Sequence, residues 1–239
     1  MRVLALYPDL MNIYADRGNL LFLQRRCEWR GIDFELAGAG LGEPVDPEAH
    51  DLLYLGGGQD RDQAMCARDL ATVKHDAVHA HAGRGGVVFA VCGGHQLLGH
   101  AYALGDEELP GVGLVDLRTV REDGPRLIGN VAIEVELPGT SGPRVLAGFE
   151  NHGGRTHLGP GEAPLGRVLS GHGNNGADGF EGVRRGSVIG TYLHGPLLPK
   201  NAWFADWLIA AATGGGTLAP LDDHLEDGAH ASARRAAGL

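Results

Sequence analysis

At 239 residues, 43% of them hydrophobic, the chain can bury one sizeable core. A net charge of −10, from 30 acidic and 20 basic residues, disfavours holding nucleic acid or an anionic membrane through bulk electrostatics. Three irregularly spaced cysteines, Cys27, Cys66 and Cys92, form neither a disulfide framework nor a zinc signature, so no metal and a reducing cytosolic compartment are expected. The apolar opening over residues 1–8 is too short for a signal peptide, and no segment approaches the roughly 20 apolar residues of a membrane span.

Short apolar runs alternate with longer helical patterns, which predicts an α/β fold with a largely parallel sheet. Residues 3–6 read as a buried strand, 19–30 as a helix with Leu20, Leu23 and Cys27 near one face, and 33–37 as a second strand. A third strand, 52–55, runs into Gly56-Gly57-Gly58-Gln59-Asp60. Residues 62–82 read as helix with a central break, 87–91 as a strongly apolar strand ending at Cys92, and 94–101 as a helix. Strands are expected at 130–137, 145–149, 167–169, 180–184 and 188–192, joined by Gly-rich turns. A helix over 201–213 carries Trp203, Phe204, Trp207 and Leu208, and Gly214-Gly215-Gly216 then frees a tail with room for one short helix. The expected division is a domain over 1–213 and a tail over 214–239.

The chemistry concentrates at Cys92-Gly93-Gly94-His95-Gln96. A buried strand ends, one cysteine follows, two glycines permit a sharp turn, and a helix begins; this is a nucleophile elbow with sulfur in place of oxygen. The turn lifts Cys92 above the sheet edge, and the helix N-terminus favours thiolate over the free value of about 8.5. The amide of Gly93 points where an oxyanion would form. The bland alternative is a small buried cysteine. A second oxyanion donor is sought in the 56–60 loop, since ligands of open parallel sheets bind at the carboxyl ends of strands; that loop also reads as an ordinary tight turn.

Amide chemistry at a cysteine needs an acid–base partner, usually histidine, and twelve are present. His75, His79 and His81 lie on a polar helix and read as solvated, while His95 shares the elbow helix and should point away from the thiol. His194 ends the apolar run 188–193, so a second strand delivers one reactive side chain to its tip. His152, within residues 150–156, is the runner-up.

The elbow, the Gly-rich loop and the late His194 together resemble the class I, triad-type glutamine amidotransferases, over nearly the whole chain. Four segments, residues 7–19, 126–130, 148–156 and 190–196, narrow the resemblance to the cobyric-acid-synthase-like branch, and within it to the glutaminase subunits of lipid II isoglutaminyl synthases. The resemblance implies a three-layer, flavodoxin-like α/β fold with a nucleophile elbow. It implies Cys92 as nucleophile, His194 as base, Gly58 and Gly93 as oxyanion donors, and Gln96 beside bound L-glutamine. Arg126 would grip the glutamine α-carboxylate, a task suited to a planar two-pronged donor; without the family it reads as a surface arginine. Asn12 and Asn19 would shape the first loop and cap a helix.

Two departures stand out. Many relatives carry a glutamate two residues after the histidine, where this chain has Pro196; a carboxylate from a partner, or a backbone carbonyl, is expected to orient the imidazole instead. Ala90 occupies a position where glycine is common, a change the turn should tolerate. Neither lysine, Lys74 or Lys200, lies in a phosphate-binding loop, and there is no dinucleotide fingerprint. Activation of an acceptor therefore falls to another chain, which the resemblance gives as a MurT-type, Mur-ligase-like synthetase holding ATP and Mg²⁺. A corrinoid acceptor, a γ-glutamyl peptidase and a catalytically silent binding subunit stay open as alternatives.

Overall fold

A computed structural model describes residues 1–12 and 17–239. Part of the family-like segment 7–19, namely Ile13, Tyr14, Ala15 and Asp16, thus lies outside the described residues. Among the described residues the central sheet has six strands in the order β13-β14-β4-β3-β1-β2: Val183–Arg185, Val188–Thr191, Val87–Val91, Leu52–Leu55, Arg2–Leu6 and Glu35–Ala39. All neighbours run parallel except β13, which returns antiparallel on β14.

Strands β1, β3, β4 and β14 are apolar almost throughout because both sheet faces are covered. Alternate residues serve opposite layers. Val3, Leu52, Phe89 and Ile189 pack with Leu23 of α1 (Arg17–Glu28) and with Phe204 and Leu208 of α5 (Ala202–Ala212). Leu4, Leu53, Val88 and Val188 pack with Cys66 and Leu70 of α2 (Asp60–Thr72) and Val78 of α3 (His75–Gly83). This is the expected three-layer α/β architecture. The expected break in the 62–82 helix falls between α2 and α3.

Among the described residues there are two further sheets of four strands each. One orders β10-β7-β5-β6 (Gly154–Leu158, Leu117–Arg121, Ala101–Leu104, Glu107–Pro110). The other orders β12-β11-β8-β9 (Phe180–Glu181, Gly166–Ser170, Leu127–Val135, Arg144–His152). The strands at 101–104, 107–110, 117–121 and 154–158 were not expected from sequence. They shorten the elbow helix, α4, to Gly93–Leu97, because the chain turns at Gly99, against Leu117, into β5. The expected strand over 180–184 is broken at Gly182, whose φ of 65° lets its backbone sit against Gly190. His81 is fully buried rather than solvated, bonded to the carbonyls of Pro47 and Val87.

The tail carries α6 (His224–Ala236), which lies over β8, β9 and the turn after His194. Arg26 of α1, fully buried, forms ion pairs with Asp206 of α5 and Asp223, the residue preceding α6. Asn12 accepts the Arg17 N–H and so caps α1. Asn19 lies inside that helix, where its side chain accepts the Leu198 N–H and donates to the Tyr54 hydroxyl. Among the described residues no helix is long and apolar enough to cross a membrane.

Candidate active site

Strand β4 ends at Val91, and Cys92 takes φ 53°, ψ −108° before α4 begins. A non-glycine residue at positive φ is strained and persists only where its surroundings enforce it. The enforcement is visible. The Cys92 N–H donates to Thr191 O at 2.8 Å, and the Gly94 N–H donates to Gly56 O at 3.1 Å. A side chain on Gly94 would put its Cβ 2.4 Å from Leu55 O, so only glycine lets α4 settle against the end of β3. Gly93, as the first helical residue, has no intrahelical acceptor for its N–H.

The loop after β3 lies beside it. A Cβ on Gly93 would fall 3.1 Å from the Gly58 nitrogen and 3.0 Å from the Gln63 Oε1. Cys92, Gly93, Gly58, Gln96 and Arg126 line one cavity, together with Asp60, Gln63, Tyr102, Asn151, His152 and Gly153. Its free volume is about 30 Å³, enough to hold water. The ion pair between Arg121 of β7 and Asp60, 3.3 Å, involves one of those walls.

Five of the six residues singled out from sequence therefore surround one cavity. The sixth, His194, is not in its wall. It lies beyond the end of β14, whose parallel register sets Thr191 opposite Val91, so Cys92 and His194 leave neighbouring strand ends. His194 exchanges both backbone hydrogen bonds with Phe149, at 3.0 and 3.2 Å, and its ring meets Phe149 edge-on. Burial pushes its pKa down to about 4; His152, Lys200 and Arg126 act in the same direction and Glu150 opposes them. The imidazole is thus neutral near pH 7, the form a base requires. Pro196, at the position of the missing glutamate, packs against Gly18.

Arg126 is exposed but held: its Nε donates to Asn151 Oδ1 and its Nη2 to Asn151 O, both at 2.8 Å. Gln96 is buried, donating to the Tyr192 hydroxyl at 3.1 Å and accepting from Gln63 at 2.7 Å. Tyr192 continues the chain to Thr156 and Thr119 at 2.7 and 2.8 Å. His152, the runner-up base, does line the cavity, with its Nδ1–H donated to Gly154 O at 2.8 Å and its ring stacked on Tyr192. Glu150 accepts from the His172 and Gly173 amides at 2.7 and 2.9 Å. His95 packs edge-on against Tyr192, and burial pushes it down to about 3.

Gln63 and Tyr192 were missed in the sequence. Gln63 had a signal: it is the polar member of the α2 stripe completed by Cys66, Ala67 and Leu70. The other cysteines are fully buried, and burial pushes Cys27 up to about 11 and Cys66 up to about 12, which disfavours the thiolate at either.

A strained cysteine on a strand–turn–helix elbow, with a histidine just beyond the end of the adjacent parallel strand, fits a cysteine-dependent glutamine amidotransferase. The comparisons make the assignment specific: the CobB/CobQ-like glutamine amidotransferase domain matches residues 2–202, and the chain belongs to that family. It is 38% identical to the lipid II isoglutaminyl synthase (glutamine-hydrolyzing) subunit GatD of Staphylococcus aureus, over 85% of this chain and 81% of that protein. For GatD of Streptococcus pneumoniae the identity is 37%, over 89% and 80%. Cobyric acid synthase of Variovorax paradoxus is 33% identical over 85% of this chain but only 41% of its own length. Among solved structures, PurLQS from Thermotoga maritima aligns with a TM-score of 0.57 at 21% identity, covering 81% of this chain and 86% of that one. The glutaminase domain of Trypanosoma brucei CTPS aligns at 0.54 and 11%, covering 92% and 96%. The structural likenesses speak to the fold.

Proposed function

We propose that this chain is the glutaminase subunit of a lipid II isoglutaminyl synthase. It hydrolyses L-glutamine and passes ammonia to a synthetase that amidates the α-carboxyl of D-glutamate in lipid II to D-isoglutamine. The chemistry rests on Cys92, held at a strained elbow beside the strand that leads to His194. The acceptor rests on the likeness to GatD over about four-fifths of its length.

Neutral His194 takes the thiol proton as Cys92 sulfur attacks the glutamine carboxamide carbon. The developing oxyanion is held by the Gly58 and Gly93 amides. Arg126, pre-set by Asn151, grips the α-carboxylate, and Gln96, fixed by Gln63 and Tyr192, walls the side-chain end. The carbon–nitrogen bond breaks as His194 returns its proton to the leaving ammonia. Water activated by the same imidazole then cleaves the thioester, and glutamate leaves.

The partner is a MurT-type, Mur-ligase-like chain that holds ATP and Mg²⁺ and activates the acceptor, in the cytoplasm. With Pro196 at the glutamate's position, a partner carboxylate or a backbone carbonyl completes the histidine's orientation; full glutaminase activity of the chain alone would count against the partner-supplied group. The cobyric acid synthase likeness favours a second reading, a corrinoid acceptor. Co-purification decides: a Mur-ligase-like protein supports the first reading and a corrinoid synthetase the second.

A further inference from the structure

Among the described residues only two non-glycine residues adopt positive φ, Cys92 and Tyr7, each at 53°. Both immediately follow strands of the central sheet, β4 and β1. For Cys92 the strain presents the nucleophile. Tyr7 does not line the cavity of Cys92, Gly58 and Gly93, yet it too is held in place.

Its N–H donates to Ala39 O at 2.8 Å, and its hydroxyl donates to Asp69 Oδ2 at 2.7 Å. Lys74, fully buried, lies 4.7 Å from the ring centroid and is tied to Asp69 and to Gly40 O. With the residue fixed in this way, Tyr7 O accepts from the Leu10 and Met11 amides at 3.0 and 2.8 Å. The turn so closed carries Met11, 2% exposed, onto the oxyanion loop. A Cβ on Gly58 would meet Met11 Sδ at 2.4 Å and Leu10 O at 3.4 Å, so the Tyr7–Met11 turn abuts the backbone of Gly58 on the side where a side chain would stand. On another side the Gly58 nitrogen approaches Gly93.

We propose that Met11, set by the Tyr7 turn, is a positioning residue for the Gly58 amide. It stops the glycine loop from backing away from Cys92 when negative charge builds on the substrate oxygen. The inference rests on the reading of Gly58 as an oxyanion donor. A glycine triplet has wide backbone freedom, and a donor helps only if it is already in place when charge develops. A buried thioether pressed against the loop restricts that freedom, and a tyrosine forced into the left-handed region is what brings the thioether there.

The test is glutamine turnover by the chain with its synthetase partner, for wild type, Met11→Ala, Met11→Leu and Tyr7→Phe, with Cys92→Ala as reference. Alkylation of Cys92 by iodoacetamide, which needs no oxyanion donor, is followed in parallel. Losing one donor costs about 10²–10³ in rate, so partial misplacement in Met11→Ala should lower kcat at least about 10-fold. KM should stay within about 3-fold and alkylation unchanged, because binding and the thiol are not touched. Met11→Leu refills the space and should restore kcat to within about 3-fold. Tyr7→Phe keeps the ring and loses the Asp69 bond; it should show the same split at smaller size, and it carries the test if Met11→Ala does not fold. An unaltered kcat in both variants, or a fall in kcat and alkylation accompanied by a rise in KM, overturns the proposal. If Cys92→Ala retains turnover, it is the glutaminase reading itself that falls.

Discussion

The amide of Cys92 donates to the carbonyl of Thr191 at 2.8 Å, so the residue that follows β4 is tied to the last residue of β14, the strand that leads to His194. The proposed nucleophile and base thereby leave the ends of two parallel strands joined by this backbone bond, although 102 positions separate them in sequence.

His194 fixes the acid side of the pH profile. Its pKa near 4 lies below the unfolded value of about 6.5, so the folded chain holds the neutral imidazole. Stability from this group is full above about 6.5 and is lost as pH falls through 4. The acid limb of kcat/KM for glutamine should have a midpoint well below 6.5. A midpoint at or above that value would place His194 in a wetter setting than its buried position.

Arg126 is held by two of its donors on Asn151, leaving the rest of the fork for a ligand. Charge-assisted bonds of this kind contribute about 1.5–3 kcal/mol. Arg126→Ala should therefore raise KM for glutamine at least about 10-fold, with a smaller change in kcat. Arg126→Lys should recover little, since a point charge cannot bond Asn151 and a carboxylate in the same plane. Steady-state kinetics on the two variants checks this.

Gly94→Ala should damage both fold and function. Its Cβ meets the carbonyl oxygens of Leu55 and Gly56 at 2.4 and 2.9 Å, and backbone cannot rotate aside. Overpacking of this sort costs about 1–3 kcal/mol, and relief by lifting α4 would displace Cys92. Thermal melting should show a clear drop and turnover should fall to background. Gly83→Ala, at a helical position with open space around it, should melt no lower than wild type.

Glu181 is fully buried, and burial pushes it up to about 8 while it accepts from Thr191 and from the Tyr192 amide at 2.6 Å. Its folded pKa exceeds the unfolded value of about 4.3, so its contribution is complete below that value and is lost as pH rises through 8. Glu181→Gln should therefore gain in melting temperature relative to wild type as pH is raised from 6 to 9. A difference that stays constant across that range would contradict a buried, neutralised carboxyl.

Much of this is legible in the sequence. The apolar runs 3–6, 52–55 and 87–91 gave the central strands because a sheet covered on both faces leaves little room for polar residues. The elbow was legible because a strand, a cysteine and two glycines in that order leave few alternatives. The strands at 101–104 and 107–110 were not, since their burial is irregular and their stability comes from pairing with each other and with β7. His81 was misread as solvated because its partners, the carbonyls of Pro47 and Val87, include one distant in sequence. The Tyr192–Gln96–Gln63 chain escaped notice for the same reason: each residue is ordinary alone and acquires its role only when three elements meet.

The most direct test of the central claim is ammonia release from L-glutamine by the purified chain, with and without its synthetase partner, for wild type, Cys92→Ala and His194→Ala. Loss of a nucleophile or base that act as a unit costs about 10⁴-fold or more in turnover. Both variants should therefore fall to background while melting like wild type. Ammonia release that persists in Cys92→Ala at the wild-type rate would contradict the account.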